Sequence, residues 1–115
     1  MNVPGAAFAP GRASLRSDAQ TRAQIKALIA FAQANPGAAI RIEGHTDSQG
    51  NPQTNLALSQ QRADAIKNVL RAAGIPASQI QAVGLGAEQP VATNATEQGR
   101  ERNRRIEVVL LRNTN

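Results

Sequence analysis

Residues 39–73 change periodicity once, and that change constrains the fold more than any other feature of the chain. Over residues 39–44, Ile40 and Ile42 alternate with Arg41 and Glu43, the period of a half-buried strand. From about Thr54 to Ala73, Leu58, Ala65, Ile66, Val69, Leu70 and Ala73 recur at helical spacing and make one apolar face. Between them lies a polar loop, Gly44 to Pro52, with Gly50-Asn51-Pro52 as its turn signal. A strand and a helix joined this way bury their apolar faces against each other.

The flanking segments extend this pattern. A helix is predicted over residues 13–34, where Leu15, Ala19, Ile25, Leu28, Ile29 and Ala32 recur at spacings of three, four and seven before Asn35-Pro36-Gly37 stops it. Strands are predicted over Ile80 to Leu85 and Arg105 to Leu111, with a short helix starting at Asn94 and running through Asn103. Val3 to Phe8 suits a strand that Pro4 confines to a sheet edge. The order is β-α-β-α-β-(α)-β. The expected fold class is α/β (α+β), a two-layer sandwich with helices on one face of a mixed sheet. The 115 residues form one expected domain, with its core at about 6–111 and linker-like ends at 1–5 and 112–115.

Composition narrows the partners. The net charge is +5, and 11 of the 13 basic residues are arginines, whose planar fork suits carboxylates and phosphates. A basic surface points to anionic partners such as nucleic acid, acidic lipid or an acidic cell-wall polymer. Arg100, Arg102, Arg104 and Arg105 form the densest basic group, but neither stacking aromatics nor a groove-reading helix accompanies them, so nucleic acid is not expected. Cysteine is absent, which excludes disulfides, thiolate metal sites and a cysteine nucleophile. No apolar run reaches the length of a membrane span and no signal peptide is visible, so any targeting or anchoring segment is expected upstream.

Two groups of residues are candidates for chemistry. Glu43, His45 and Asp47 are spaced by two and would share a face if the strand continued, but Gly44 interrupts it. No metal and no cofactor is expected from them. His45 and Asp47 as acid and base would need a nucleophile, and Ser48 and Ser59 sit in no such motif, so an enzyme is not expected. The second group is Asp47 and Arg62. Arg62 stands one helical turn after Leu58 and one before Ile66, on or beside the apolar stripe. A guanidinium there requires a partner. Spacing allows two readings: a structural Asp47–Arg62 salt bridge, or a clamp in which Asp47 takes an ammonium and Arg62 a carboxylate of one zwitterionic ligand. A bridge would bury Arg62, whereas a clamp would leave it reachable.

The residues Gly44-His45-Thr46-Asp47, Gly50, Asn55, Leu58-Ser59 and Arg62-Ala63 resemble the core motif of OmpA-like domains. Gly84, Gly86 and Pro90 resemble the strand and loop that follow. Asn94, Gly99-Arg100 and Asn103-Arg104-Arg105-Ile106-Glu107 resemble the closing motif of that family. The resemblance covers about residues 38–110 and spans porin tails, Pal-type lipoproteins and flagellar-stator domains alike. It implies non-covalent binding of peptidoglycan through the diaminopimelate of its stem peptide, whose free end carries an ammonium and a carboxylate. It implies Asp47 for the ammonium and Arg62 for the carboxylate, backbone contacts near Thr46, polar help from Asn55, a wall from Leu58 and a further contact from Arg104. It also implies a periplasmic location on an outer-membrane or inner-membrane parent, and oligomeric parents are compatible with it. Phe8 is followed by Ala9 where family members have an acidic or polar residue, so no ligand contact is assigned to the first strand.

Overall fold

The computed structural model describes residues 1–111, so the linker-like end expected at 112–115 lies outside the described residues. Seven elements follow in order: β1 (Asn2–Pro4), α1 (Ala19–Gln33), β2 (Ala39–His45), α2 (Pro52–Ala72), β3 (Ile80–Gly86), α3 (Glu97–Asn103) and β4 (Arg105–Leu111). The sheet runs β1-β4-β2-β3, with β2 parallel to β3 and antiparallel to β4, and β1 antiparallel to β4. It is a mixed sheet packed with helices, the α+β architecture read from the sequence.

Alternation sorts the strand residues onto two faces. Ile40 and Ile42 of β2, Ile106 and Val108 of β4, and Ile80 of β3 pack with Leu28 and Ala32 of α1 and Ala63, Ile66 and Leu70 of α2. With two aromatic residues in the chain, this core is aliphatic apart from the buried Phe8. Arg41, Glu43 and His45 take the opposite face of β2, across from Val109, Glu107 and Arg105 of β4.

The helix α2 lies close enough to the sheet to require glycine beneath it. A Cβ on Gly44 would overlap the Ser59 carbonyl oxygen, and one on Gly84 would overlap the Gln60 amide nitrogen. The approach lets α2 complete the edge of β3. Gln60 donates through Nε2 to the Ala82 carbonyl (3.1 Å) and accepts through Oε1 from the Gly84 amide (2.8 Å). Ser59 Oγ accepts from the Gly86 amide (3.0 Å). The side chains of α2 stand where a further strand would pair, which blunts an otherwise uncharged edge.

The structure corrects the boundaries near the N-terminus. The helix predicted from residue 13 begins at Ala19, because Asp18 caps it by accepting from the Thr21 amide (2.7 Å). Residues 8–16 instead fold back on themselves: Phe8 bridges Leu15, and the Arg16 amide donates to the Ala7 carbonyl. The strand predicted over Val3 to Phe8 stops at Pro4, and Gly5–Ala7 forms a 3₁₀ turn. Pro4 does occupy an edge strand. Val3 is fully buried, so the core extends ahead of residue 6 and residues 2–4 are strand rather than linker.

Two further starts move by a few residues. α2 begins at Pro52, capped by Asn51, whose Oδ1 accepts from the Gln53 and Thr54 amides. Asn51→Ala should cost about 1 kcal/mol, read as a lowered midpoint in urea unfolding. α3 begins at Glu97 under a Thr96 cap, not at Asn94.

Candidate ligand-binding cleft

The loop after β2 is held in shape by its own side chains. Thr46 donates its amide to the Gly86 carbonyl (2.9 Å) and its hydroxyl to the Asp47 carbonyl (2.8 Å). Asp47 Oδ1 accepts from the Gln49 amide (2.9 Å), an Asx-type turn. Asn55 donates Nδ2 to the Gln49 carbonyl (2.7 Å), tying the loop to the first turns of α2. Thr46 and Asn55 therefore shape the loop from within. Leu58 is half-buried on α2.

The loop of residues 87–96 is organised by one buried amide. Asn103, with no exposed surface, accepts through Oδ1 from the Val91 and Ala92 amides (2.8 and 3.0 Å) and donates to the Ala92 carbonyl and to Asn94 Oδ1. Asn103→Ala would strand two amides and a carbonyl, each costing about 1–3 kcal/mol if left unpaired. Thermal unfolding should show Asn103→Ala among the most destabilising substitutions outside the apolar core.

Arg104 follows directly, at the end of α3. It donates NH1 to Asp47 Oδ2 (2.6 Å) and NH2 to Glu97 Oε1 (2.6 Å). These bonds, Glu97 foremost, raise its pKa, and bonds from Arg104 and then Arg100 lower that of Glu97. Arg105 points the other way, buried against the Asn103 and Gln89 carbonyls. Of the pair, Arg104 turns toward Asp47 and Arg105 away from it.

Arg62 makes no ion pair with Asp47. Among the described residues it meets no carboxylate at all. Its Nε donates to the Arg12 carbonyl (2.9 Å) and NH2 to the Ala9 carbonyl (3.4 Å), and its guanidinium carbon lies 4.9 Å from the centre of the Phe8 ring. Arg62 is 6% exposed. Burial, and after it the nearby Arg104 charge, push its pKa below the usual value. Carbonyl dipoles and an aromatic face hold the cation without neutralising it. Arg62 is thus buried where a clamp would leave it reachable, and unbridged where burial would mark a bridge, so its partners and not its exposure bear on the two readings.

Arg62 and Arg104 open onto one cleft of about 500 Å³, lined also by Phe8, Pro10, Arg16 and Glu97. Asp47, Thr46, Asn55 and Leu58 are not among its lining residues, and Asp47 reaches the cleft only through its bond to Arg104. Phe8 and Arg16 are the additions that sequence reasoning missed. Both arrive because residues 8–16 fold back, a pairing with no local signal beyond the single aromatic at position 8.

On the far face of the sheet, Glu43 and His45 sit together as the alternation suggested, but Asp47 is not with them. Glu107 of β4 takes the third place. Burial, then Arg105, hold the His45 imidazole below its usual pKa.

A model of the OmpA family matches residues 7–104. The peptidoglycan-binding protein ArfA of Mycobacterium tuberculosis is 44% identical over 78 residues, 68% of this chain and 24% of that protein. The peptidoglycan-associated lipoprotein of Pasteurella multocida is 41% identical over 81 residues, 70% of this chain and 54% of its own. The crystal structure of the peptidoglycan-associated lipoprotein from Burkholderia pseudomallei has a TM-score of 0.80 at 33% identity, covering 96% of this chain and 89% of that one. The chain spans only a quarter to a half of the length of these two sequence relatives. The mixed sheet, the Asp47 loop and the arginines at 62 and 104 all lie in a chain that, over most of its length, belongs to the OmpA family.

Proposed function

We propose that this domain is a non-catalytic module that binds peptidoglycan through the diaminopimelate of the stem peptide. It would anchor a membrane-attached parent to the cell wall from the periplasm. The observation that carries this reading is Arg62: a buried guanidinium with no carboxylate partner among the described residues, beside a second guanidinium, on an open cleft. Two such groups on one cavity favour an anionic ligand. Arg62 and Arg104 suit the ligand carboxylate. Asp47, with Oδ2 already paired to Arg104 and lone pairs remaining, suits the ammonium. Peptidoglycan as the polymer is supported by family membership and by the names of the relatives. The rival reading, a protein-interaction domain of the same fold with an internal Asp47–Arg62 bridge and no glycan ligand, lacks the bridge it needs.

The affinity of a single site can be modest. A membrane-attached or oligomeric parent presents many copies to one polymer, and effective concentration supplies the rest. Co-sedimentation with purified sacculi tests the assignment of Asp47. Asp47→Ala should remain in the supernatant while wild type pellets, with the circular dichroism spectrum unchanged. Equal pelleting of the two proteins would remove Asp47 from the site.

A further inference from the structure

We infer that Glu43, His45 and Glu107 form a binding site for a divalent transition-metal cation, on the sheet face opposite the helices. Glu43 and Glu107 are direct cross-strand partners of β2 and β4, and His45 lies two residues along the same face. Like charges placed opposite each other across two strands repel, and a cation between them removes the repulsion. One ligand atom from each of the three residues falls within 4.8 Å of the others. His45 Nε2 is 3.5 Å from Glu43 Oε1 and 3.1 Å from Glu107 Oε2. Ligands about 2.0–2.1 Å from a tetrahedral zinc stand roughly 3.3 Å apart; the two separations from His45 fit this, and an ion would draw the three atoms in from their 4.8 Å spread.

The imidazole supplies a second observation. His45 is 2% exposed, and neither Nδ1 nor Nε2 has a hydrogen-bond partner among the described residues. Its short contacts to the two carboxylates are not directed along a ring N–H, so Nε2 is close to both and bonded to neither. The carboxylates are themselves steadied from outside the cluster. Arg41 holds Glu43 through Oε2 (2.8 Å), leaving Oε1 toward the histidine, whereas Arg105 donates to the same Glu107 Oε2 that faces His45 (3.3 Å) and would share it with an ion. Metal sites are commonly supported by such outer contacts. Both glutamates keep some exposure, which gives an ion a path from solvent.

One nitrogen and two carboxylate oxygens suit zinc or a neighbouring first-row ion better than magnesium, which seeks an all-oxygen octahedron. The two arginines offset the two acids, so binding is expected to be moderate and readily reversed. A bound ion would clamp β2 to β4 at the strand end from which Thr46 and Asp47 depart.

The chain has one histidine and no cysteine, so an imidazole signal reports on this site alone. Zinc chloride is titrated into the labelled protein, following the His45 ring by NMR and the heat by calorimetry. The expected result is one equivalent bound, with the His45 ring resonances moving to saturation and a raised midpoint of thermal unfolding. Glu107→Gln and Glu43→Gln, each keeping side-chain volume, should lower the affinity at least tenfold with unchanged spectra before zinc is added. Magnesium should leave the ring unmoved. Ring resonances static at millimolar zinc would overturn the inference, as would equal zinc affinity in a folded glutamine variant.

Discussion

Arg62→Met is expected to abolish retention on peptidoglycan while leaving the domain folded. The methionine keeps an unbranched stem against Phe8, where the guanidinium carbon now stands 4.9 Å from the ring centre. What the fold loses is small. The two donated bonds go to the Arg12 and Ala9 carbonyls, both in exposed or half-buried turns that water can reach, at about 1 kcal/mol each. What the site loses is larger. Removing one partner of a desolvated, charge-assisted contact costs about 2–5 kcal/mol of binding, roughly 30-fold to several thousand-fold in affinity. A site of modest intrinsic affinity does not survive that loss. The check is paired: co-sedimentation with sacculi for binding, urea unfolding for stability. An Arg62→Met protein that unfolds at much lower urea would mean that the arginine serves chiefly to hold residues 9–12 in place.

Gly44→Ala is expected to destabilise the domain severely. Gly44 is the sixth residue of β2, pairing with Gly84 on one side and Ile106 on the other, and it faces α2. An added methyl would overlap the Ser59 carbonyl oxygen and crowd the rest of that peptide unit, so no side-chain rotation relieves it. Either α2 withdraws from the sheet or β2 shifts. Withdrawal separates Gln60 from Ala82 and Gly84 and breaks contacts of Ala63 and Ile66 with the sheet. Overpacking a core commonly costs about 1–3 kcal/mol, and more when backbone must move. A domain of this size holds about 5–15 kcal/mol in total. The purified Gly44→Ala protein should show a flattened thermal transition and poor dispersion of amide resonances. A cooperative transition within a few degrees of wild type would show that α2 does not rest on the sheet as described.

The β2–loop–α2 unit was legible because each part carries its own local signal. Alternation at Ile40 and Ile42, the Gly50-Asn51-Pro52 turn signal and the apolar face through Ile66 and Leu70 all depend on near neighbours in sequence. Arg62 stood out for the same reason, as a charge where the stripe demanded an apolar residue. Its partners did not. They are backbone carbonyls of residues 9 and 12, fifty positions away, and a carbonyl has no residue type to read. Asp47 pairs with Arg104 across 57 positions, and periodicity is blind to that distance. The sequence places the start of α1 too early, at residue 13, because Leu15 satisfies the helical spacing while its actual partner is Phe8 across a turn. In the sequence Gly44 reads as a break in a strand and Gly84 as part of a family motif, but both mark where a helix touches a sheet. Only the packed structure distinguishes these two uses of glycine.

The proposed recognition is of a zwitterionic diaminopimelate end by Asp47, Arg62 and Arg104. A stem peptide containing diaminopimelate, titrated into the labelled domain beside its lysine-containing counterpart, tests it most directly. The lysine peptide keeps the side-chain ammonium and lacks the carboxylate. Saturable shifts are expected at Asp47, Arg62 and Arg104 with the diaminopimelate peptide, and binding at least tenfold weaker with the lysine peptide. Equal affinity for the two peptides would contradict it, because Arg62 would then have no carboxylate to hold.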